Sequence, residues 1–391
     1  MSEQTKKRLI YVAPEASFGT ETGTVGEYLP IQAENLSFIT SGPEVLETAY
    51  FTGTASSTPA DRGGEYCEVT FDMPLRGFAS GQAAAVISSG DVDALDHILS
   101  SAFGTATAQT GVGVGSGSST SSLVTDADIT TNQYLGAAYG ATTNSNKVQW
   151  RRLSGIATPY APNANYADAP DAADSVFGTR SHKGPFTQGL SLSMYYSQDT
   201  IPYVLLGGRP TALKITAEAG KRVMVSCTIR FDNKTQASRA VTGVSTFSPA
   251  PIKALLAGCT WGSTATATSS IEIDWQLSSP DISSATTTNG RSDIECIMAD
   301  PIVTLTPPFV LAQQTDFEAG TLRNLLIEFG MVNSASVMNS CCFFAENAEI
   351  VEAPDSDDGG IIRQSLKLAC RFNGNFAATT NHSHAWQFSR A

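Results

Sequence analysis

Residues that could bind a metal or catalyse a reaction are few in this chain of 391 residues. His382 and His384 could present two imidazoles on one face of a strand, but a structural metal site needs four ligands and the neighbouring sequence supplies no others. With four histidines in all, the chain shows no acid–base or nucleophile pattern. We therefore predict that the protein is not an enzyme and that it uses no metal or cofactor.

Two further motifs resemble binding loops but lack the residues that complete them. The glycine-rich "GVGVGSG" (111–117) has no preceding strand, no following helix and no closing Lys-Ser/Thr, so a linker is the better interpretation. The acidic "DSDDGG" (355–360) lacks the carboxylate spacing and the distal Glu of a calcium loop. We interpret it as the turn of a hairpin.

The cysteines indicate a reduced core. Their number, seven, is odd, no C-x-x-C pair occurs, and most lie in apolar runs that look like strands, so we expect buried thiols. Cys341 and Cys342 would point to opposite faces of a strand and cannot share a ligand set there. With no leader-like segment and no apolar run near the eighteen residues of a membrane helix, we expect synthesis in a cytoplasm and no membrane partner.

The formal net charge of −13, with a pI near 4.7, argues against a groove that grips nucleic acid. Binding to the phosphate backbone rewards Lys and Arg, and a strongly acidic surface repels it. The alternative is that the acidity serves solubility alone.

Alternating apolar and polar residues predict a protein built mainly of β-strands. In "EYCEVTFDM" (65–73) and "KRVMVSCTIRFDN" (221–233), every second residue is apolar, which is the period of a half-buried strand. "GLSLSMYYS" (189–197) and "ALKIT" (212–216) add strands, and "AEAGK" (217–221) predicts a hairpin turn. Helices are predicted in "GDVDALDHILSSAFG" with Asp91 as N-cap, in "TDFEAGTLRNLLIEFG" with Asp316 as cap, and briefly after Pro251.

Several of these segments recur. Leu95 and Leu322 in the two helices, and Pro74 and Pro301 beside them, are each 227 residues apart. Strand, polar loop, strand, helix and a closing hairpin follow in the same order, which indicates internal duplication. We predict two tandem β-sandwich or β-barrel units, 1–240 and 241–391, each with one flanking α-helix. An insertion, 105–183, is expected outside the core of the first unit, as a satellite domain or loop in which only "NKVQWRRLSG" looks like a strand.

The order of motifs resembles the major tail tube proteins of long-tailed bacteriophages. The resemblance rests on "YVAPEASFGTETG", "YLPIQAENLSF", "VTFDMPLRGF", "SPAPIKALLAGCTW", "LSLSMYYSQDTIPYVLLGGRPTALKITAEAGKRVMVSCTIRFDN" and "SLKLACRF". Each motif alone is loose, and together they span most of the chain apart from the insertion. The resemblance implies a structural virion protein whose subunits join their sheets into a ring, with rings stacked into a hollow tube for genome ejection.

For a duplicated member the resemblance implies a trimeric ring with pseudo-sixfold symmetry, with a hexamer as second choice. Implied partners are stacked copies of the chain, a tape measure protein, other tail proteins, and double-stranded DNA that passes without sequence-specific binding. The implied location is the virion tail, assembled in the host bacterial cytoplasm. Acidic residues that could face the lumen are Glu68, Asp72, Glu272 and Asp274. Polar loops that could reach the next ring run from Thr52 to Gly64 and from Ser279 to Arg291; the residues singled out there are Thr52, Ser56, Arg62, Ser279, Thr287 and Arg291.

Two alternatives remain open at this stage. A different tail-tip component would share the fold but occur in single rings. A carbohydrate-binding or adhesin module is a tandem β-sandwich of similar composition, although the four tryptophans (Trp150, Trp261, Trp275 and Trp386) are scattered along the sequence and suggest no stacking platform.

Overall fold

The structure is a computed structural model, and it describes part of the chain. The described residues are 8–21, 28–40, 45–46, 61–62, 66–77, 92–109, 112–113, 116–119, 121–122, 138–142, 148–154, 161–162, 175–176, 179–184, 189–198, 201–239, 241, 250–254, 258–262, 264–284, 291–298, 300–330, 339–358, 360–371 and 386–390.

The protein is mainly β, as predicted, with two helices among the described residues. The helices are α1 (Ala94–Phe103) and α2 (Leu311–Ala319). The strands are β1 (Arg8–Ser17), β2 (Thr20–Glu21), β3 (Leu29–Ile31), β4 (Glu34–Thr40), β5 (Val45–Leu46), β6 (Asp61–Arg62), β7 (Cys67–Pro74), β8 (Thr107–Gln109), β9 (Val112–Gly113), β10 (Ala138–Thr142), β11 (Val148–Ser154), β12 (Ala161–Pro162), β13 (Ser175–Val176), β14 (Thr179–Gly184), β15 (Leu192–Gln198), β16 (Ile201–Glu218), β17 (Met224–Phe231), β18 (Asn233–Gln236), β19 (Gly258–Trp261), β20 (Thr264–Ala265), β21 (Ser270–Asp274), β22 (Leu277–Ser278), β23 (Asp281–Ser283), β24 (Arg291–Ile294), β25 (Ile297–Met298), β26 (Ile302–Leu305), β27 (Arg323–Phe329), β28 (Cys341–Glu352), β29 (Asp355–Asp358), β30 (Ile361–Gln364), β31 (Leu366–Arg371) and β32 (Trp386–Arg390).

Eight strands from both halves of the chain form one continuous antiparallel layer, which we call the inner sheet. Their order across the layer is β4, β7, β17, β16, β21, β26, β31 and β28. In β7 and β17 buried and half-buried residues alternate strictly, because side chains of successive strand residues point to opposite faces. The inner sheet therefore has one apolar face on the core and one face that carries most of its polar side chains.

The remaining large-sheet strands form a second layer, in two parts. In the first half β15 lies between β1 and β16, and β18 pairs with the N-terminal part of β16. In the second half β27 lies between β19 and β28, and β32 pairs with the N-terminal part of β28. The long strands β16 and β28 each belong to both layers, so they fix how the layers are joined.

A single hydrophobic core joins residues from both halves, including Phe71 and Leu213 as well as Ile273 and Leu368. Helix α1 fills its centre, where the ring centroid of Phe103 lies 5.6 Å from that of Trp275 and 4.8 Å from that of Trp386. Trp275 and Trp386 are fully buried. Aromatic rings of this size account for much of the apolar area that a core removes from water.

The first predicted helix is confirmed, but its N-cap is Asp93 and not Asp91. The Asp93 carboxylate accepts a hydrogen bond from the Asp96 N–H at 2.8 Å, and Gly104 ends the helix with its N–H donated to the Ser100 carbonyl. This is the standard way to satisfy free backbone groups at both helix ends.

The second predicted helix is wrong in position. Helix α2 ends at Ala319, Gly320 adopts a left-handed conformation with φ of 59°, and the stripe beginning near Leu322 forms strand β27. A run such as "RNLLIEF" fits both periods, and its pairing with β19 and β28 decides for the strand. After Pro251, Lys253 bridges to Arg222 and Ala254 adopts a 3-10 helical conformation. Residues 255–257, over which the short predicted helix would continue, lie outside the described part, so that helix stays a prediction.

The repeat distance of 227 residues is wrong as well, because it aligns a helix residue, Leu95, with Leu322, at the start of a strand. The predicted strands in 65–73, 189–197, 212–216 and 221–233 are confirmed, and β16 and β17 form the predicted hairpin, with Gly220 at φ of 81° in its turn. The interpretation of "DSDDGG" as a turn is wrong for residues 355–358, because they form strand β29, whose hairpin partner is β30; Gly360 lies in the turn.

The insertion contains more strands than predicted. Five of them form a separate sheet in the order β12, β11, β10, β13 and β9, which fits the satellite expectation. Strands β8 and β14, however, join the large sheet, where β14 pairs with β32. Trp150 in β11 is fully buried, and its backbone N–H and indole N–H donate to Glu328 and Ser340, at 2.6 and 2.7 Å. The expectation that the whole insertion lies outside the core is therefore wrong.

Candidate functional site

The face of the inner sheet that points away from the core carries many charged side chains, and we call it the polar face. Residues directly opposite one another on paired strands share a face, so the strand register identifies its members. Its carboxylates are Glu34, Glu68, Asp72, Glu218, Glu272, Asp274, Glu349 and Glu352, and its cations are Lys214, Arg230, Lys367 and Arg371, together with Lys221 and Arg222, which pair with Glu218 and Glu34. The carboxylates outnumber the cations, so the face is acidic.

All four acidic residues singled out from the sequence lie on this polar face. Asp72 accepts hydrogen bonds from Ser226 Oγ at 2.6 Å and Asn35 Nδ2 at 2.7 Å. Glu68 lies directly opposite Arg230. Strict alternation identifies the polar side of each strand, and the strand register places both pairs on the same face of the sheet. That this face lines a lumen stays a prediction.

Glu272 and Asp274 share one lysine across the boundary between the two halves. Lys214 Nζ lies 2.8 Å from Asp274 Oδ2 and 3.4 Å from Glu272 Oε1. The hydrogen bond to Asp274, stronger than the opposing effect of burial, raises the pKa of Lys214. This contact stabilises the pairing of β16 with β21, which makes the two halves one sheet.

On the side of the polar face formed by the second half, an arginine and a lysine of β31 pair with carboxylates. Arg371 Nε lies 3.0 Å from Glu349 and its Nη1 lies 3.1 Å from Asp300; Lys367 Nζ lies 2.7 Å from Glu352. Hydrogen bonds to Glu349 and Asp300 raise the pKa of Arg371. These cations are matched by carboxylates and do not make a basic face.

Both edges of the inner sheet are open within the described part of the chain. Strand β4 pairs with β7 on one side only. The C-terminal part of β28, from Asn347 to Glu352, pairs with β31 on one side. On the other side the ladder with β27 ends at the pair Ala348–Arg323, so the residues after Ala348 have no strand partner there among the described residues. Ile39, at the open edge of β4, is 53% exposed. Unpaired strand edges offer backbone donors and acceptors to another chain.

One of the two loops expected to reach another ring is attached to its own chain at its base. Ser279 Oγ donates to the Pro210 carbonyl at 2.7 Å, and Arg291 lies 2.8 Å from Asp232 and 3.0 Å from Asp281. Ser279 therefore anchors the loop to β16, and Arg291 anchors it to Asp232, which directly follows β17. Thr287, Thr52 and Ser56 lie outside the described residues, and Arg62 is described only as backbone of β6.

A buried charge cluster joins α1 to β14 and β32, and sequence reasoning missed it. Asp96 Oδ2 lies 2.6 Å from Arg180 Nη2, and Asp96 Oδ1 lies 3.3 Å from His182 Nε2 and 3.6 Å from Arg390 Nη2. Arg390 also lies 2.7 Å from Asp93. The only sequence signal is the polar Asp96 on the apolar side of α1, since its partners are distant in the sequence.

Burial by itself raises the pKa of Asp96, but the His182 hydrogen bond and the positive charges of Arg390 and Arg180 outweigh it and hold the pKa at about 2. Burial lowers the pKa of His182 against the opposing effect of Asp96. The cluster therefore contains an ionised carboxylate and a neutral imidazole near neutral pH. The side chains of Asp96, Arg180, His182 and Arg390 are at most 5% exposed, whereas Asp93 at the rim is 40% exposed, so the cluster acts as a structural junction.

The described residues show no set that supports metal chemistry, since they contain no group of three or more His, Cys, Asp or Glu able to hold a metal ion. All seven cysteines are buried free thiols, as predicted, and burial raises the pKa of Cys259 and Cys341 to about 12. His382 and His384 lie outside the described residues. Within the described part of the chain, no helix has the length and apolar character to cross a membrane.

Comparison with known proteins identifies no family for this chain. Neither a scan against protein-family models nor a search of curated proteins found a match to this chain.

Proposed function

We propose that this chain is a structural subunit of a bacteriophage tail tube, built from two copies of one β unit, and that three chains form a ring whose stacked copies make the conduit for genome ejection. In this proposal the protein has no enzymatic activity and no cofactor. It assembles in the host cytoplasm and resides in the virion tail, where it contacts the tape measure protein and other tail proteins.

The duplication is supported by strand pairings that occur in the same order in both halves. In the first half these pairings are β1–β2, β1–β15, β15–β16, β16–β17, β17–β7, β7–β4 and β16–β18. In the second half they are β19–β20, β19–β27, β27–β28, β28–β31, β31–β26, β26–β21 and β28–β32. Helix α1 follows β7 as α2 follows β26. The corrected repeat thus relies on pairing and not on a fixed sequence distance.

The observation that carries the proposal is the inner sheet, which runs through both halves and ends in two open edges. Joining β28 of one chain to β4 of the next removes the two open edges of the inner sheet once the ring closes. Three chains with eight inner strands each give 24 strands. With strands about 4.8 Å apart and tilted by about 40°, the backbone diameter is about 50 Å, and side chains leave a hole of about 40 Å. A DNA duplex passes through a hole of that width.

The polar face would line this hole, because the apolar face is buried against the second layer. Its excess of carboxylates, including Glu68, Asp72, Glu272 and Asp274, presents like charge to DNA. Screening confines that repulsion to about 8 Å from the wall at physiological salt. The duplex therefore slides through without sequence-specific binding. Stacking of rings through the polar loops is part of the same proposal.

The burial of all four tryptophans weighs against a carbohydrate-binding module. Trp150, Trp275 and Trp386 are fully buried and Trp261 is 6% exposed, so no tryptophan is available as a stacking platform. A tail-tip component remains the alternative within the same class, distinguished by copy number, which is far higher for a tube subunit.

Negative-stain electron microscopy of the purified full-length protein, alone and with a tape measure protein, tests the proposal. The expected result is rings with a central hole and sixfold-like outline, or tubes of stacked rings. The mass of the assembly, measured by sedimentation equilibrium, should correspond to three chains per ring, with six as the second choice. A protein that stays monomeric under all these conditions refutes the proposal.

A further inference from the structure

The boundary between the two halves is a template for the boundary between two chains. There, β16 pairs with β21 so that Lys214 lies opposite Asp274 and Thr216 opposite Glu272. The backbone N–H of Trp275 donates to the Leu213 carbonyl, so residues 213 and 275 form a hydrogen-bonded pair. Because such pairs alternate with non-hydrogen-bonded ones, Lys214 and Asp274 form a non-hydrogen-bonded pair with close side chains.

The register identifies which residues occupy the same positions at the open edges. Ser226 lies between Lys214 and Asp72 in the first half, and Lys367 lies between Glu352 and Thr304 in the second. Both middle strands end in Arg-Phe, Arg230-Phe231 in the first half and Arg371-Phe372 in the second, and Ser226 and Lys367 each lie four residues before that arginine. Ser226 and Lys367 therefore take the same position, and Glu352 takes that of Lys214.

The same reasoning applies to the other edge strand. Asp72 takes the position of Thr304, so Thr70, two residues earlier, takes that of Ile302. Thr70 lies opposite Ser37, as Ile302 lies opposite Asp274. Ser37 therefore occupies the position of Asp274.

We propose that β28 of one copy pairs antiparallel with β4 of a second copy with Glu352 opposite Ser37, and that the charges at this position select the partner strand. The proposal rests on the ring described under the proposed function and adds its register and its specificity. Glu352 has a side chain 55% exposed, and Ser37 is exposed, so both are accessible to a second copy.

The charges distinguish the right partner from the wrong one. Opposite the uncharged Ser37, Glu352 keeps its 2.7 Å ion pair with Lys367. Opposite a β21 strand, Glu352 would instead face Asp274 and lie beside Glu272, which puts three carboxylates together. Lys214 would then lose the two carboxylates it binds. Like charges directly opposite one another destabilise a strand pair, so exchanged pairing between halves is disfavoured.

Disulfide cross-linking of the full-length protein tests the register. The close approach of a non-hydrogen-bonded pair matches the Cα separation of a disulfide. We expect the double variant Ser37→Cys/Glu352→Cys to form reducible chain-to-chain cross-links under mild oxidation. Each single variant and the off-register pair Ser37→Cys/Glu349→Cys should form few. The seven native thiols are buried, which keeps background cross-linking low.

The outcomes separate this inference from the proposed function. Rings seen by microscopy together with cross-linking by the Ser37–Glu349 pair instead would overturn the register and leave the ring intact. Rings without either cross-link would overturn the choice of edges. A wild-type protein that never assembles would overturn the ring, and the register with it.

A charge test addresses the selection of partner. Ser37→Asp places a carboxylate opposite Glu352 and should raise the concentration needed for half-maximal assembly about two- to fivefold. Adding Glu352→Lys should restore assembly by recreating the pair seen between Lys214 and Asp274. Light scattering against protein concentration measures both. If Ser37→Asp assembles like the wild type, charge does not select the partner.

Discussion

Replacing Asp96 with asparagine should destabilise the protein by several kcal/mol. Asp96 is 1% exposed and lies 2.6 Å from Arg180 and 3.6 Å from Arg390. Asparagine has nearly the same size but no charge. The variant therefore keeps the packing of α1 and leaves two buried guanidinium groups without that anion.

The magnitude follows from two independent considerations. A pKa of about 2, against the ordinary value of 3.8, corresponds to about 2 kcal/mol of stability at neutral pH. Breaking a buried ion pair by removing one partner costs about 3–5 kcal/mol. For 391 residues unfolding together, the entropy of unfolding is about 0.8 kcal/mol/K, so a loss of about 2–5 kcal/mol should lower Tm by about 2–6 °C.

Differential scanning calorimetry at pH 7 and at lower pH measures the effect. Because the folded-state pKa of Asp96 lies below the unfolded value, its contribution is complete above about pH 4 and is lost as pH falls through about 2. The difference between wild type and Asp96→Asn should therefore persist at pH 5 and shrink towards pH 2. Asp300→Asn is the matched control, because Asp300 pairs with Arg371 at the surface and such pairs contribute about 0–1 kcal/mol. A Tm unchanged in Asp96→Asn, or lowered equally in the control, would refute the reasoning.

Three further outcomes are expected. Gly208→Ala should cost about 1–3 kcal/mol in thermal unfolding, because the new Cβ would lie 2.4 Å from the Phe231 ring and 2.7 Å from the Leu192 carbonyl oxygen; a Tm equal to wild type contradicts this. Thiol reagents at pH 8 should leave the native protein unlabelled and label all seven cysteines after denaturation, since burial raises the pKa of Cys341 to about 12; rapid labelling of the native protein would show open thiols. His182→Gln should reduce the loss of stability between pH 7 and 5, because burial lowers the pKa of the His182 imidazole in the folded protein. A proton that binds only after unfolding favours the unfolded state by up to about 1.4 kcal/mol per pH unit. Parallel curves of stability against pH for the variant and the wild type would exclude this role.

Local patterns predicted much of the inner sheet. Alternation in 65–73 and 221–233 identified β7 and β17 and the polar sides that carry Glu68 and Asp72. Both strands have one partly exposed face and one buried face, and only such strands show the two-residue period clearly.

Helix and strand were confused where both faces are buried. Strand β27 is buried from Leu325 to Phe329, so its sequence has no polar side, and spacing alone allowed a helix. The 227-residue repeat distance contains the same error, because it aligns Leu322 with a residue of helix α1. Register between strands corrected it, through contacts that join residues far apart in the sequence.

The sequence by itself determined that this is a mainly β protein with buried thiols, an acidic balance and recurrent strands, because composition and two-residue periodicity are local properties that each strand carries alone. Only the tertiary structure decided that the inner strands of both halves make one sheet, that Lys214 joins them, and that Asp96 meets Arg180 and Arg390. Those facts depend on pairings across more than a hundred residues or between separate layers, and no local pattern encodes which distant strand completes a ladder.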